Sequence, residues 1–337
     1  MLRRSAIASS RALKRPTPHA KTSHRTFFSW SRVQKEQSTG TFSEAGSSGS
    51  SQTNNSSGAA QALSYFLDAH AACRNKRCRI AATGQGIVSN PEQCGEDSYF
   101  LTPNLVGVAD GVGGWNENGV DPGEISRSLM RNAASFVKSA GSASKVSTQQ
   151  VLEYAFRQAV ADEKVEAGST TACIMRLKAS PDGHPILEYT NLGDSGLVII
   201  RDGSVIFRSK FQYYGRAPYQ LAKIPLRYKV YGAIENQPSD ADSGEIEVQD
   251  GDIIVLATDG VWDNFSSDLL SAPAFFPPIV SWRRQWQNEI AGLVDVLGDH
   301  SPSEAAQNIV RAALRHNLKP DDITVVVAKV VRVAPKL

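Results

Sequence analysis

Short apolar runs rich in β-branched residues recur along the chain from residue 105 onward, at 105–109, 186–192, 197–201, 204–207, 253–257 and 323–333. Their length and composition predict strands. Asp202-Gly203 separates two of them, and both residue types tolerate the positive φ of a two-residue hairpin turn; Asp250-Gly251 predicts a turn into the run at 253. Closely spaced, hairpin-joined strands favour antiparallel sheets over a doubly wound parallel sheet. Three stretches change to helical period. Asp121-Pro122-Gly123-Glu124 and Ser301-Pro302-Ser303-Glu304 each offer N-cap, N1 and N3 residues of a capping box. Apolar residues then follow at helical spacing, Ile125, Leu129, Ala133 and Phe136 in the first case and Ala306, Ile309, Val310, Ala313 and Leu314 in the second. A third helix is predicted over 148–162, with Leu152, Ala155, Phe156 and Ala159 on one face.

The first 60 residues break this pattern. Residues 1–35 hold nine Lys/Arg and no acid, whereas the rest of the chain carries 27 basic against 34 acidic residues, so the net charge of +2 belongs to the leader. An Arg- and Ser-rich, acid-free start without a continuous apolar run predicts a mitochondrial transit peptide rather than a secretory signal. Residues 36–61 are nearly all small or polar, which predicts a disordered linker that cannot offset its ordering cost. One folded domain is then expected over 62–333, without internal repeats. Its acidic balance argues against nucleic acid as a partner, and no apolar run is long enough for a helix across a membrane. The four cysteines, Cys73, Cys78, Cys94 and Cys173, are too few and scattered for a disulfide scaffold and contain no Cys-x-x-Cys pair. Cys73 and Cys78 are therefore expected to be reduced thiols.

Acidic residues recur at strand ends. Asp110 closes the run 105–109, Asp259 follows 253–257, Asp321-Asp322 precedes 323–327, and Glu96-Asp97 precedes Ser98-Tyr99-Phe100. Carboxylates so placed can converge with little freedom left to lose, and they share a site only if cations offset their repulsion. All-oxygen ligands suit Mg²⁺ or Mn²⁺, whereas zinc would normally recruit His or Cys. Gly111 and Gly260 would let a carbonyl or a bound water approach without a Cβ in the way.

Six ordered motifs, Glu96-Asp97, 108–115 (VADGVGGW), 168–172 (GSTTA), 191–196 (NLGDSG), 257–263 (ATDGVWD) and 319–325 (KPDDITV), resemble those of the PPM/PP2C family of metal-dependent protein phosphatases, specifically its mitochondrial branch. The resemblance implies an α+β fold, a four-layer αββα sandwich with two central antiparallel sheets and two metal ions at one edge. By position it implies Asp110 as the carboxylate bridging both ions, the carbonyl of Gly111 as a ligand, Asp259 and Asp321 as direct ligands, and Glu96 and Asp97 bound directly or through water. Asp110, Asp259 and Asp321 are the expected catalytic set. Asp322, where many relatives have Asn, ranks below Asp321, while Asp194, Thr170 and Asn191 are expected to build the floor. The implied reaction is attack by water on phosphoserine or phosphothreonine, helped by two ions rather than by a nucleophilic side chain. A monomer acting on phosphoproteins in the mitochondrion, in its matrix, is expected; matrix enzymes or coenzyme Q synthesis components are substrates the resemblance implies.

Departures from the family pattern leave an alternative, a phosphatase-like metal-binding module with little or no turnover. Glu92 stands where many relatives carry a phosphate-clamping Arg, so Arg79 or Arg127 would have to replace it, or the metals alone must hold the substrate. Val112 stands where many have His, so no side chain there can protonate the leaving alkoxide. Val165, beside Glu166, replaces the Asp of a third ion. A cysteine phosphatase would need an Arg six residues after its thiol; only Cys73 meets this, with Arg79, and the intervening residues lack the glycine of a phosphate loop. Trp115 is expected either over the site or in the core. Two aromatic and basic stretches, 211–231 and 275–286, are candidate substrate readers or packing surfaces, the first in the position of the family's variable flap.

Overall fold

The computed structural model describes residues 65–78, 86–141, 146–229, 232–265 and 292–333, all within a compact unit spanning Gly58–Leu337. Ten strands build two antiparallel sheets: β1 (Tyr65–Arg74), β2 (Asp97–Leu101), β3 (Leu105–Asp110), β4 (Ala172–Ala179), β5 (Pro185–Leu192), β6 (Gly196–Arg201), β7 (Ser204–Arg208), β8 (Asp242–Glu247), β9 (Ile253–Ala257) and β10 (Ile323–Arg332). One sheet has the order β1-β10-β9-β6-β7 and the other β8-β5-β4-β3-β2. The helices are α1 (Gly123–Ser139), α2 (Thr148–Ala161), α3 (Asp259–Phe265) and α4 (Pro302–His316).

Side-chain alternation assigns each strand face to a layer. In β10, Val326, Ala328 and Val330 enter the core between the sheets, together with Val106 and Val108 of β3 and Cys173, Met175 and Leu177 of β4. Val325 and Val327 face the other way, against Ala306, Ile309, Val310 and Ala313 of α4. Leu105, Ala109 and Ile174 meet Leu129, Met130 and Ala133 of α1 and Leu152 and Ala155 of α2. The expected αββα sandwich follows. Both faces of the central strands are covered, which is why they read as continuous apolar runs instead of alternating ones.

The Asp202-Gly203 turn forms with φ of 49° and 72°, as a two-residue hairpin requires. Ser301 and Glu304 close the expected capping box at α4, and Ser147 with Gln150 closes another at α2. At α1 the box does not close. Asp121 accepts the Gly123 N–H (2.9 Å), but Arg127 draws both Asp121 (2.6 Å) and Glu124 (3.0 Å) to itself. The cysteines also require a correction: Cys73 and Cys94 are joined in a disulfide, because β1 carries Cys73 alongside the segment leading into β2. Cys78 is a free thiol, as expected. With Cys73 spent, its match to a phosphatase thiol has no chemical content.

α2 begins over a buried ion pair. Glu188 of β5 accepts the Thr148 N–H (2.7 Å) and pairs with Arg176 of β4 directly across the sheet. Burial opposes the charge, but the Thr148 N–H and Arg176 outweigh it and hold the carboxyl below its ordinary pKa. A folded-state pKa lowered in this way gives stability that is present above the unfolded value of about 4.3 and lost as pH falls through the folded value. Glu188→Gln is expected to cost about 3 kcal/mol near neutrality. Its deficit in urea titrations should shrink as pH falls below about 4.

Candidate active site

In an antiparallel sheet the end of one strand lies beside the start of the next, so Asp97, first in β2, sits opposite Asp110, last in β3. The other sheet does the same at that edge. Asp259 follows the end of β9 and Asp321-Asp322 precede β10, its antiparallel neighbour. A hydrogen bond joins the sheets there, from the Thr258 hydroxyl to Asp97 (2.8 Å). Asp110 is held by its main chain: its N–H donates to Thr171 Oγ1, and its carbonyl accepts from the Thr171 N–H and the Thr170 hydroxyl, both at 2.9 Å.

Burial raises the pKa of Asp97 and Asp110, and neighbouring carboxylates add to it, Asp322 for Asp97 and then Asp97, Asp259 and Asp321 for Asp110. Asp194 is pushed up to about 7 by burial and then by Asp259. Two ammonium groups relieve this crowding. Lys76 Nζ lies 2.7 Å from Glu96 Oε2, 3.0 Å from Asp321 Oδ1 and 3.6 Å from Asp322 Oδ2. Lys319 binds Asp259, Asp263 at 2.8 Å and Asp321 at 3.3 Å. Burial works against the charge on Asp321, but the two lysines prevail and lower its pKa.

Among the described residues no three acidic, His or Cys side chains close on one point as a ready-made ion cage. The donor set nevertheless suits hard divalent ions. It is all oxygen, it is buried or half-buried, and it gathers more negative charge than its protein environment can leave uncompensated.

Comparison with known proteins agrees with this geometry. A family model described as Stage II sporulation protein E (SpoIIE) matches residues 108–331. Protein phosphatase PTC7 homolog of Xenopus laevis is 38% identical over 186 residues, 53% of this chain and 61% of that protein. Protein phosphatase 2C homolog 7, mitochondrial, of Saccharomyces cerevisiae is 34% identical over 263 residues, 70% of this chain and 74% of that one. The chain belongs to the PP2C-type protein phosphatases. A solved catalytic domain, that of the serine/threonine phosphatase PstP in complex with two manganese ions, shares the fold. It has a TM-score of 0.51 and 19% identity over 79% of this chain and 99% of its own.

Within this PP2C domain the expected residues Glu96, Asp97, Asp110, Gly111, Asp259 and Asp321 all lie where strand ends of the two sheets meet. Asp322 turns inward, accepting the backbone N–H groups of Lys76 (2.7 Å) and Glu96 (2.9 Å). The glycines answer to packing. A Cβ on Gly111 would stand 2.1 Å from the Pro122 carbonyl oxygen, and one on Gly260 1.9 Å from that of Asp322, so at both positions a closely packed backbone carbonyl excludes a side chain. Glu92 pairs with Arg131 on the surface. Arg127 is committed to Asp121, Glu124 and the Gly95 carbonyl, while Arg79 and the stretch 275–286 lie outside the described residues. Val165 is fully buried, and Glu166 accepts hydrogen bonds from Arg227 and Tyr228. Sequence reasoning missed the roles of Lys76, Lys319 and Thr258. Lys319 and Thr258 stand inside quoted motifs, but Lys76 follows a strand whose Asp68, His70 and alanines hide its period.

Gly95 has φ +83°, and a Cβ there would stand 2.2 Å from Asp322 Oδ1. Gly95→Ala is therefore expected to lower stability by about 2 kcal/mol or more in urea unfolding; a change within about 0.5 kcal/mol would show that Asp322 is free to move.

Proposed function

We propose that this PP2C member is a metal-dependent phosphatase that hydrolyses phosphoserine and phosphothreonine in proteins. The supporting observation is the convergence of Asp97, Asp110, Asp259, Asp321 and Glu96 from strand ends of both sheets onto one edge. Two Mg²⁺ or Mn²⁺ ions would be held by Asp110, the Gly111 carbonyl, Asp259 and Asp321, with Glu96 and Asp97 beside them. Bound there, they would supply positive charge to the phosphoryl oxygens and acidify water. The chain's own part is positional. Thr170 and Thr171 fix the backbone of Asp110, Thr258 orients Asp97, and Asp322 anchors Glu96.

Arg77 supplies a cation for the incoming phosphate. Its side chain is 69% exposed at the rim, with Nη2 3.1 Å from Asn116 Oδ1 and 3.6 Å from Glu96 Oε1, so it can turn to an anion while Arg127 stays engaged with Asp121, Glu124 and the Gly95 carbonyl. Residues 1–35 are read as a transit peptide, 36–61 as a linker and 62–333 as the phosphatase domain. The name of the yeast relative supports a mitochondrial destination, where matrix enzymes or components of coenzyme Q synthesis are the substrates we propose. Among the described residues no helix is long and apolar enough to cross a membrane.

The leader-free protein should release phosphate from a phosphothreonine peptide with Mn²⁺ or Mg²⁺ and stop when EDTA is added. Asp110→Asn should lower kcat/KM by about 10³-fold or more. No release by a protein shown calorimetrically to bind Mn²⁺ would instead establish the metal-binding module.

A second expectation concerns affinity alone. Lys76 occupies carboxylate oxygens that an ion must take, so Lys76→Gln should bind Mn²⁺ about fivefold more tightly by calorimetry. Weaker binding would assign the ammonium a supporting role in the site.

A further inference from the structure

Beside the acidic edge lies a cavity of about 270 Å³ whose apolar walls are Val112, Ile224, Ala233, Ile234 and the rings of Trp115 and Tyr228. Two turns of 3-10 helix, Gly113–Asn118, separate it from the carboxylates. The position of a Cβ on Gly113 would be 2.8 Å from Glu96 Oε2, and Asn116 Nδ2 donates to Glu96 Oε1 (2.8 Å). The next residues, Gly114 and Trp115, line the cavity. The turn that borders Glu96 is thus also the cavity wall.

The polar atoms in that wall are used among themselves. Trp115 Nε1 donates to Ser169 Oγ (2.8 Å), the Ser169 hydroxyl donates to Gln220 Oε1, and Gln220 Nε2 reaches the Pro218 carbonyl at 3.4 Å. Trp115 and Tyr228 meet edge to face, with ring centroids 5.8 Å apart. Charge stays outside, where Glu166 takes both Arg227 and the Tyr228 hydroxyl. A cavity without an ionised lining residue does not select a phosphate or a charged metabolite. Its volume is below that of sites for drug-sized ligands and suits one large side chain. The opposite wall comes from Ile224 and Tyr228, within the stretch 211–231 expected to lie in the flap position, and from Ala233 and Ile234 just beyond it; this side is anchored where Leu221–Lys223 pairs with Gly168–Thr170, the strand that holds Asp110.

Resting on the phosphatase reading above, we infer that this cavity is a specificity pocket for an apolar residue, of leucine or phenylalanine size, two or three positions from the phosphorylated residue of the substrate. An extended peptide advances about 3.3 Å per residue, so two or three residues cross the width of the turn. The pocket selects among phosphoproteins without touching the reacting atoms.

The test uses the leader-free, Mn²⁺-loaded protein and phosphothreonine peptides that differ only in carrying Leu, Phe, Ser or Asp at one position from −3 to +3. Leu or Phe at one position should raise kcat/KM about tenfold over Ser, mainly through KM. Ile234→Asn and Ile224→Asn should bring that ratio close to one, while Ile234→Val keeps most of it. The ratio is taken within each variant, so loss of folded protein does not alter it. Fluorescence anisotropy of labelled Leu and Ser peptides on the same proteins gives a second readout. Turnover and binding without preference at any position, or a preference that survives both Asn variants, would overturn the pocket. Preferential binding without turnover would defeat the phosphatase reading and leave the pocket standing.

Discussion

Repulsion among buried carboxylates is the constraint around which this fold is arranged. Asp97 and Asp110 face each other across a strand pair, with Asp259, Asp321 and Asp322 supplied by the opposing sheet. No apolar core gains from holding such a set, and a buried charge costs several kcal/mol unless it is compensated. Compensation comes from Lys76 and Lys319, each spread over three acids. Lysine suits this role better than arginine would. Its ammonium is compact and sits on a flexible stem, so it can yield a carboxylate oxygen to a stronger cation without moving the strands. A site whose negative charge must be partly offset and yet remain open to divalent ions needs such replaceable partners.

The rest of the architecture holds that edge together against its own repulsion. The sheets meet through the bond from Thr258 to Asp97 and through Asp322, which accepts N–H groups from Lys76 and Glu96. The disulfide from Cys73 to Cys94 ties β1 to the segment entering β2, close in sequence to both Lys76 and Glu96. Close backbone contacts at Gly111 and Gly260 leave no slack beside Asp110 at the end of β3 and Asp259 at the start of α3. Rigidity of this kind costs stability elsewhere but keeps the oxygens from relaxing apart, which is what preorganised electrostatic catalysis requires.

Strands buried on both faces announce themselves, and so β3, β5, β6, β9 and β10 were legible as apolar runs to within about two residues at each end. Strands β1, β2, β4 and β8 were not. β8 alternates polar residues with Ile246 and Gly244 at a sheet edge, and β4 carries Arg176 for its buried pair with Glu188 and Lys178 where its end leaves the core. The acidic residues were legible because strand ends fix their direction. The ammonium groups were not, because Lys76 and Glu96 meet only after β1 and β2 are placed in different sheets. The disulfide escaped for the same reason: two cysteines 21 residues apart carry no local signal of their pairing.

The turn 113–118 shows how one local element can serve chemistry and selection together. Its Asn116 fixes the orientation of Glu96, its Trp115 forms a wall of the cavity, and its own position depends on Val112 donating its N–H to the Ser169 carbonyl (2.9 Å). Ser169 belongs to the strand that also holds Asp110, and its hydroxyl is the acceptor for Trp115. A residue bound in the cavity would therefore press on the same small set of contacts that positions the carboxylates. Val112 contributes an apolar wall to the cavity and carries no group that could donate a proton. The contacts through Ser169 hold that wall in register with the acids.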